Sequence, residues 1–172
     1  MVPTMIKIYR KVTDLLKKID FEVLWPGFHL YPFALYTQHE TILNGDSFPT
    51  PNNFYGNTTI RYNGQQIAIW NIELDPPENL DLLTASLVHE MFHAFQKEQG
   101  EQRFPNDLAL LAGTLTPETL AWKIWERRLL ANEYSFFHFC SVRLEHRNNQ
   151  HMKEEELIET AEGMAQFIEY RV

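Results

Sequence analysis

Apolar residues at Ile8, Val12, Leu15, Leu16 and Ile19 recur at helical spacing through Met5–Ile19, with lysines on the other side, which predicts an opening amphipathic helix. From Phe21 to Leu74 the pattern changes. Short runs rich in aromatic and β-branched residues (FEVLW, HLYPFALYT, ETIL, TTIRY, QIAIWNIEL) are separated by Pro, Gly and Asn, as strands are by turns. Asn63-Gly64, between Thr59–Tyr62 and Gln65–Leu74, predicts a hairpin because both residues tolerate positive φ. The two-residue period puts Ala68, Trp70, Ile72 and Leu74 on one face of that last strand. Asp75-Pro76-Pro77 ends the strand region, and the remaining pattern is helical, with breaks near Gly100–Asn106, Gly113–Pro117 and Arg147–His151. Thr116 as N-cap and Pro117 in the first turn open a long helix, and a last helix runs from about Met152. Strands first and helices afterwards indicate an α+β chain rather than a doubly wound one: a single domain over 1–172, sheet-rich at 21–75 and helical at 79–172.

Composition narrows the function classes. At 172 residues, 44% hydrophobic and 22% charged, the chain suits a folded globular domain. Its net charge of −8, with no basic cluster longer than Lys17-Lys18 or Arg127-Arg128, argues against nucleic acid as a partner. The single cysteine, Cys140, cannot make an intramolecular disulfide and reads as an ordinary core residue. No apolar run approaches membrane-spanning length and the N-terminus has no apolar leader, so the expectation is a soluble, cytoplasmic protein without a membrane partner.

One stretch does not fit a plain core helix. Leu87–Gln96 reads LVHEMFHAFQ, with His89, Glu90 and His93 spelling H-E-x-x-H among apolar neighbours. On a helix, positions four apart lie on one face, so a single metal ion could accept both imidazoles. Glu90 sits about 100° round from His89 and is placed to accept a proton from water rather than to ligate. Zinc suits such donors and activates water at neutral pH. Chance places this motif somewhere in a chain of this composition with a probability of about 3%, so its helical, apolar setting is needed as support. That setting (Leu82, Leu83, Leu87, Val88, Met91, Phe92, Ala94 and Phe95) predicts a helix buried nearly all round. Buried polar groups need strong partners, and a metal would serve all three.

Catalytic zinc needs a further ligand from another element, and the last helix, TAEGMAQFIEYR at Thr160–Arg171, offers carboxylates. HEMFH together with AEGMAQFIEY resembles the gluzincin superfamily of zinc metallopeptidases, in its aminopeptidase-type pattern H-E-x-x-H followed by N-E-G-x-A-x-[YF]-x-E-Y. The two motifs cover about a tenth of the chain. The resemblance implies a zincin-like fold, with a twisted, mostly antiparallel N-terminal sheet followed by a helical half. It implies one zinc per chain held by His89, His93 and Glu162, with Glu90 as general base, acting on a peptide or protein substrate. Gly163 and Ala165 match the small residues that let this helix approach its neighbour, and a helix-interior glycine is otherwise costly. The chain departs from the family in the long gap between His93 and Glu162 and in Gln166, where many members place an orienting Asp. A non-catalytic zinc-binding domain, structural or partner-binding, is the alternative.

The inserted helical stretch carries Glu126 and Glu133 within an apolar stripe of Trp122, Trp125, Leu129, Phe136, Phe137, Cys140 and Leu144. Carboxylates on such a face are expected to be paired, and either could orient His89 or His93. Glu133 is also the second choice for third ligand. Tyr134, His138 and Tyr170 are candidates for stabilising an oxyanion, each of them equally readable as a packed side chain with its polar tip satisfied. Gln66–Leu74, the last strand before the motif helix, is the expected edge along which a peptide would lie.

Overall fold

The opening helix forms as α1, Val2–Leu16, and buries Met5, Tyr9, Val12 and Leu16 on one side. The computed structural model describes residues 2–104, 116–131, 136–146 and 150–172. FEVLW is not a strand. Phe21–Leu24 forms a short helix, α2, because Asp20 caps it by accepting from Val23 N and the Glu22 carboxylate takes the Gly27 N–H.

Five strands follow: β1 Phe33–Tyr36, β2 Glu40–Leu43, β3 Asp46–Pro49, β4 Thr58–Tyr62 and β5 Gln65–Asn71. They form one mixed sheet in the order β3-β2-β1-β5-β4, in which β1 and β5 are parallel and the other pairs antiparallel. Two Asn-Gly turns make the hairpins. Asn63 and Gly64 have φ of 48° and 85°, and Asn44 and Gly45 have φ of 54° and 88°, the positive values that two-residue hairpin turns require at both centres. The second turn adds β3, an element the hydrophobic pattern does not signal. Strand β5 stops at Asn71, whose Oδ1 accepts from Glu73 N and Leu74 N, and Leu74 turns out to solvent. The expected edge is also corrected: β5 is flanked by β1 and β4, so the open edge nearest the motif helix belongs to β4.

The motif helix is α3, Leu80–Glu98, capped by Asn79 accepting from Asp81 N at 2.7 Å. It lies on the sheet face carrying Phe33, Leu35 and Ala68, and with α1 encloses the larger core through Leu83, Leu87, Val88, Met91, Phe92 and Phe95. Burying each such side chain contributes about 1.5–3 kcal/mol. The opposite face holds a smaller cluster of Ala34, Tyr36, Leu43, Phe54, Ile67 and Ile69. Unlike the all-round burial expected, α3 keeps an open stripe: Leu82 and Lys97 are exposed, and Ser86, His89 and Glu90 are half-buried.

The remaining helices are α4 Pro117–Leu130, α5 Phe136–His146 and α6 Gln150–Arg171. Thr116 accepts the Leu120 N–H at the start of α4, as its N-cap position predicts. The chain divides into two compact units, Met1–Gln102 with Gly163–Val172, and Arg103–Glu162. In the first, Met164, Ala165 and Ile168 of α6 join the larger core. In the second, α4 and α5 pair through Trp125 and His138, and buried Glu126 lies 3.9 Å from Arg143, which also donates to Glu159 at 2.8 Å. Phe136, Phe137 and Leu144, expected in an apolar stripe, are exposed. Among the described residues, no helix is long and apolar enough to cross a membrane.

Candidate metal centre

His89 and His93 project from successive turns of α3, with ring centroids 4.8 Å apart and planes at 77°. Their Nε2 atoms lie 3.0 Å apart. Each ring is fixed from behind. His89 Nδ1 meets Glu169 Oε2 at 2.9 Å, and His93 Nδ1 meets Gln96 Oε1 at 2.8 Å. A carboxylate oxygen and an amide oxygen both accept, so in the tautomer with its proton on Nδ1 each ring would turn a lone pair outward from Nε2. In that tautomer two lone pairs so close would repel one another unless a cation, a proton or a metal ion, lay between them.

Glu162 stands beside the pair. It is the residue at which the division of the chain falls, in the same unbroken helix as Gly163–Arg171 of the first unit. Donor atoms of His89, His93 and Glu162 all lie within 4.8 Å of one another, a group that could hold a metal ion. Around tetrahedral zinc, bonds of about 2.0 Å put neighbouring donors about 3.3 Å apart, a difference within reach of a carboxylate side-chain torsion. Two imidazoles and a carboxylate are a donor set that zinc accepts with a fourth position left open.

Glu169 is the orienting group that the sequence reading overlooks. It lies seven residues, two helical turns, beyond Glu162 and so on the same face of α6. It also accepts from Ser86 Oγ at 3.2 Å and Gln166 Nε2 at 3.4 Å. The signal was present: Glu169-Tyr170 is the E-Y that closes the pattern AEGMAQFIEY. Gln96 had no comparable signal, since a glutamine three residues after a histidine is common on any helix.

The other candidates fall elsewhere. The Nδ1 partners of the two histidines are Glu169 and Gln96, not the expected Glu126, which sits beside Arg143 in the second unit. His138 is exposed and packs edge-on to Trp125. Tyr170 is 91% exposed, in the wall of a cavity of about 660 Å³ between α1, α3 and the end of α6. Glu133 and Tyr134 lie outside the described residues. Cys140 is a free thiol and half-buried. Gly163 is corrected. A Cβ at that position would meet nothing within 4 Å among the described residues, so close approach to them is not its reason; Ala161 and Ala165 are the fully buried small residues, and Ala165 packs in the larger core.

One cation shares the open stripe of α3. Lys97 lies one turn beyond His93, and its Nζ donates to the Thr59 carbonyl of β4 at 3.2 Å. Although the residue as a whole is exposed, partial desolvation of its ammonium lowers its pKa, an effect partly offset by the negative charge of Glu90.

Comparisons with protein-family models, curated proteins and solved structures give no significant match.

Proposed function

We propose that this protein is a zinc-dependent hydrolase of gluzincin type in a zincin-like fold, cleaving peptide bonds with Glu90 as general base. The observation that carries this reading is the pair of Nε2 atoms 3.0 Å apart, with Glu162 alongside. Zinc, when bound there, supplies Lewis acidity toward water and a carbonyl oxygen. The chain's own residues do the rest. Glu169 and Gln96 fix the tautomer and aim of the two histidines. Glu90, half-buried on the same stripe, takes a proton from the attacking water and returns it to the leaving amine.

The edge of β4 offers a peptide a place to lie. The turn Asn63-Gly64 makes Tyr62 and Gln65 the closing hydrogen-bonded pair, so in the register the main-chain groups of Thr59 and Arg61 face away from β5. The Lys97 bond to the Thr59 carbonyl agrees with that orientation.

The test combines metal analysis with a mixed peptide library. The expected result is about one zinc per chain, metal-dependent peptide cleavage, and a Glu90→Gln variant that keeps zinc and loses activity by about 10²–10⁴-fold. A zinc-loaded protein that cleaves nothing would favour a non-catalytic zinc domain, in which His93→Ala, and not Glu90→Gln, impairs the protein.

A further inference from the structure

Two cations border the face of the sheet on which the motif helix lies, in a chain whose net charge is −8. Cross-strand partners share a face, so Thr59 opposite Ala68 and Arg61 opposite Gln66 both point to the side where Ala68 joins the core under α3. Arg61 is exposed, and its guanidinium makes no hydrogen bond or ion pair among the described residues. It lies two residues, about 6.8 Å of strand, from Thr59, where Lys97 touches β4. Gln66, opposite Arg61 on this face, has a buried Oε1 with no hydrogen-bond partner among the described residues.

The buried acceptor is costly to leave without a donor, whereas Arg61 is hydrated where it stands and open to a carboxylate that displaces that water. A peptide extended along the outward edge of β4 would bring N–H groups to the outward main-chain carbonyls of β4 and an acidic side chain to the cations. Lys97 is one turn from His93 and within the field of Glu90, so this charge recognition falls next to the bond to be cleaved. We infer that Lys97 and Arg61 form an anion-recognising pair that selects peptides with a carboxylate side chain close to the scissile bond. This inference rests on the peptide-hydrolase reading and names the substrate class for that site. Both are specificity-determining residues; neither handles the proton.

The experiment uses zinc-loaded Glu90→Gln protein and blocked hexa-alanine peptides carrying a single Glu, Gln or Lys at each position in turn, with binding read by calorimetry. At one position the Glu peptide should bind about tenfold more tightly than its Gln twin, the effect expected of about 1.4 kcal/mol from charge-assisted contacts. Lys97→Met and Arg61→Gln should each reduce that ratio, Lys97→Arg should keep it, and the double variant should abolish it. Arg61 is exposed, so its variant reports on recognition even if Lys97→Met disturbs the tie between α3 and β4. Equal binding of Glu and Gln twins, a preference that survives the double variant, or no peptide binding at all would overturn the inference. Failure of the underlying reading is distinguishable. Peptide cleavage without acid preference sinks only the specificity, whereas Lys97-dependent acidic binding without cleavage by wild-type protein sinks only the hydrolase.

Discussion

Glu169 holds His89, its Oε2 lying 2.9 Å from the ring Nδ1, from a position two helical turns beyond Glu162. One helix therefore carries both a prospective metal ligand and the carboxylate that orients another. Removing the orienting charge should weaken metal binding without removing any ligand. Glu169→Gln should lower zinc affinity by about 10–100-fold, measured by competition with a chelating dye, and leave the fold intact by circular dichroism. Unchanged affinity would show that the Glu169–His89 contact is incidental to the metal.

A metal that binds only the folded chain adds to its stability. Zinc at a hundredfold excess over Kd should stabilise the protein by about 2.7 kcal/mol, and a strong chelator should reverse this in thermal melts. His93→Ala should remove the zinc dependence. A melt indifferent to both zinc and chelator would count against the site.

Gly163 is helical and exposed, and a methyl there would meet no described residue within 4 Å. Gly163→Ala should stabilise the helix by up to about 1 kcal/mol and raise Tm by about 2–4 °C. Zinc affinity should not change. A fall in Tm would mean that a neighbour does need the missing methyl's volume.

Tyr31 donates to Glu98 Oε2 at 2.7 Å, and burial first, then that bond and the charge of Glu98, raise its pKa above 10.0. The folded chain thus keeps a proton that the unfolded chain releases. Its contribution is fully present below about pH 10 and is lost as pH rises beyond that value. Tyr31→Phe should cost about 1 kcal/mol at pH 7 and make the alkaline loss of stability shallower, as urea titrations at pH 7 and pH 10.5 would measure.

What could be read in the sequence follows the range of the interactions involved. His89, Glu90 and His93 are fixed by offsets within one helix, so their shared stripe was legible without tertiary knowledge. Glu162 lies far along the chain, and its selection leaned on a resemblance. Glu169 is within reach of the same two-turn arithmetic, whereas Glu126 is the more conspicuous carboxylate because it falls in an apolar stripe. Its partner, Arg143, lies 17 residues on, on another helix, which no local pattern reveals. The strand reading failed for related reasons. DSFP at β3 is short, mostly exposed and paired only to β2, so no apolar period marks it. Phe21–Leu24 has strand-like composition, yet the cap from Asp20 and burial of Phe21 and Leu24 favour a helical turn.

The placement of the prospective third ligand also fixes an order of events during synthesis. His89 and His93 leave the ribosome 73 and 69 residues ahead of Glu162, and the carboxylate that steadies His89 follows 7 residues later still. Domains assemble as the chain emerges, N-terminal parts first. The sheet and α3 can therefore form while both histidines lack the Glu162 carboxylate and His89 also lacks its restraint, Glu169. A nascent chain cannot present the complete donor set; it comes together only when the final helix docks.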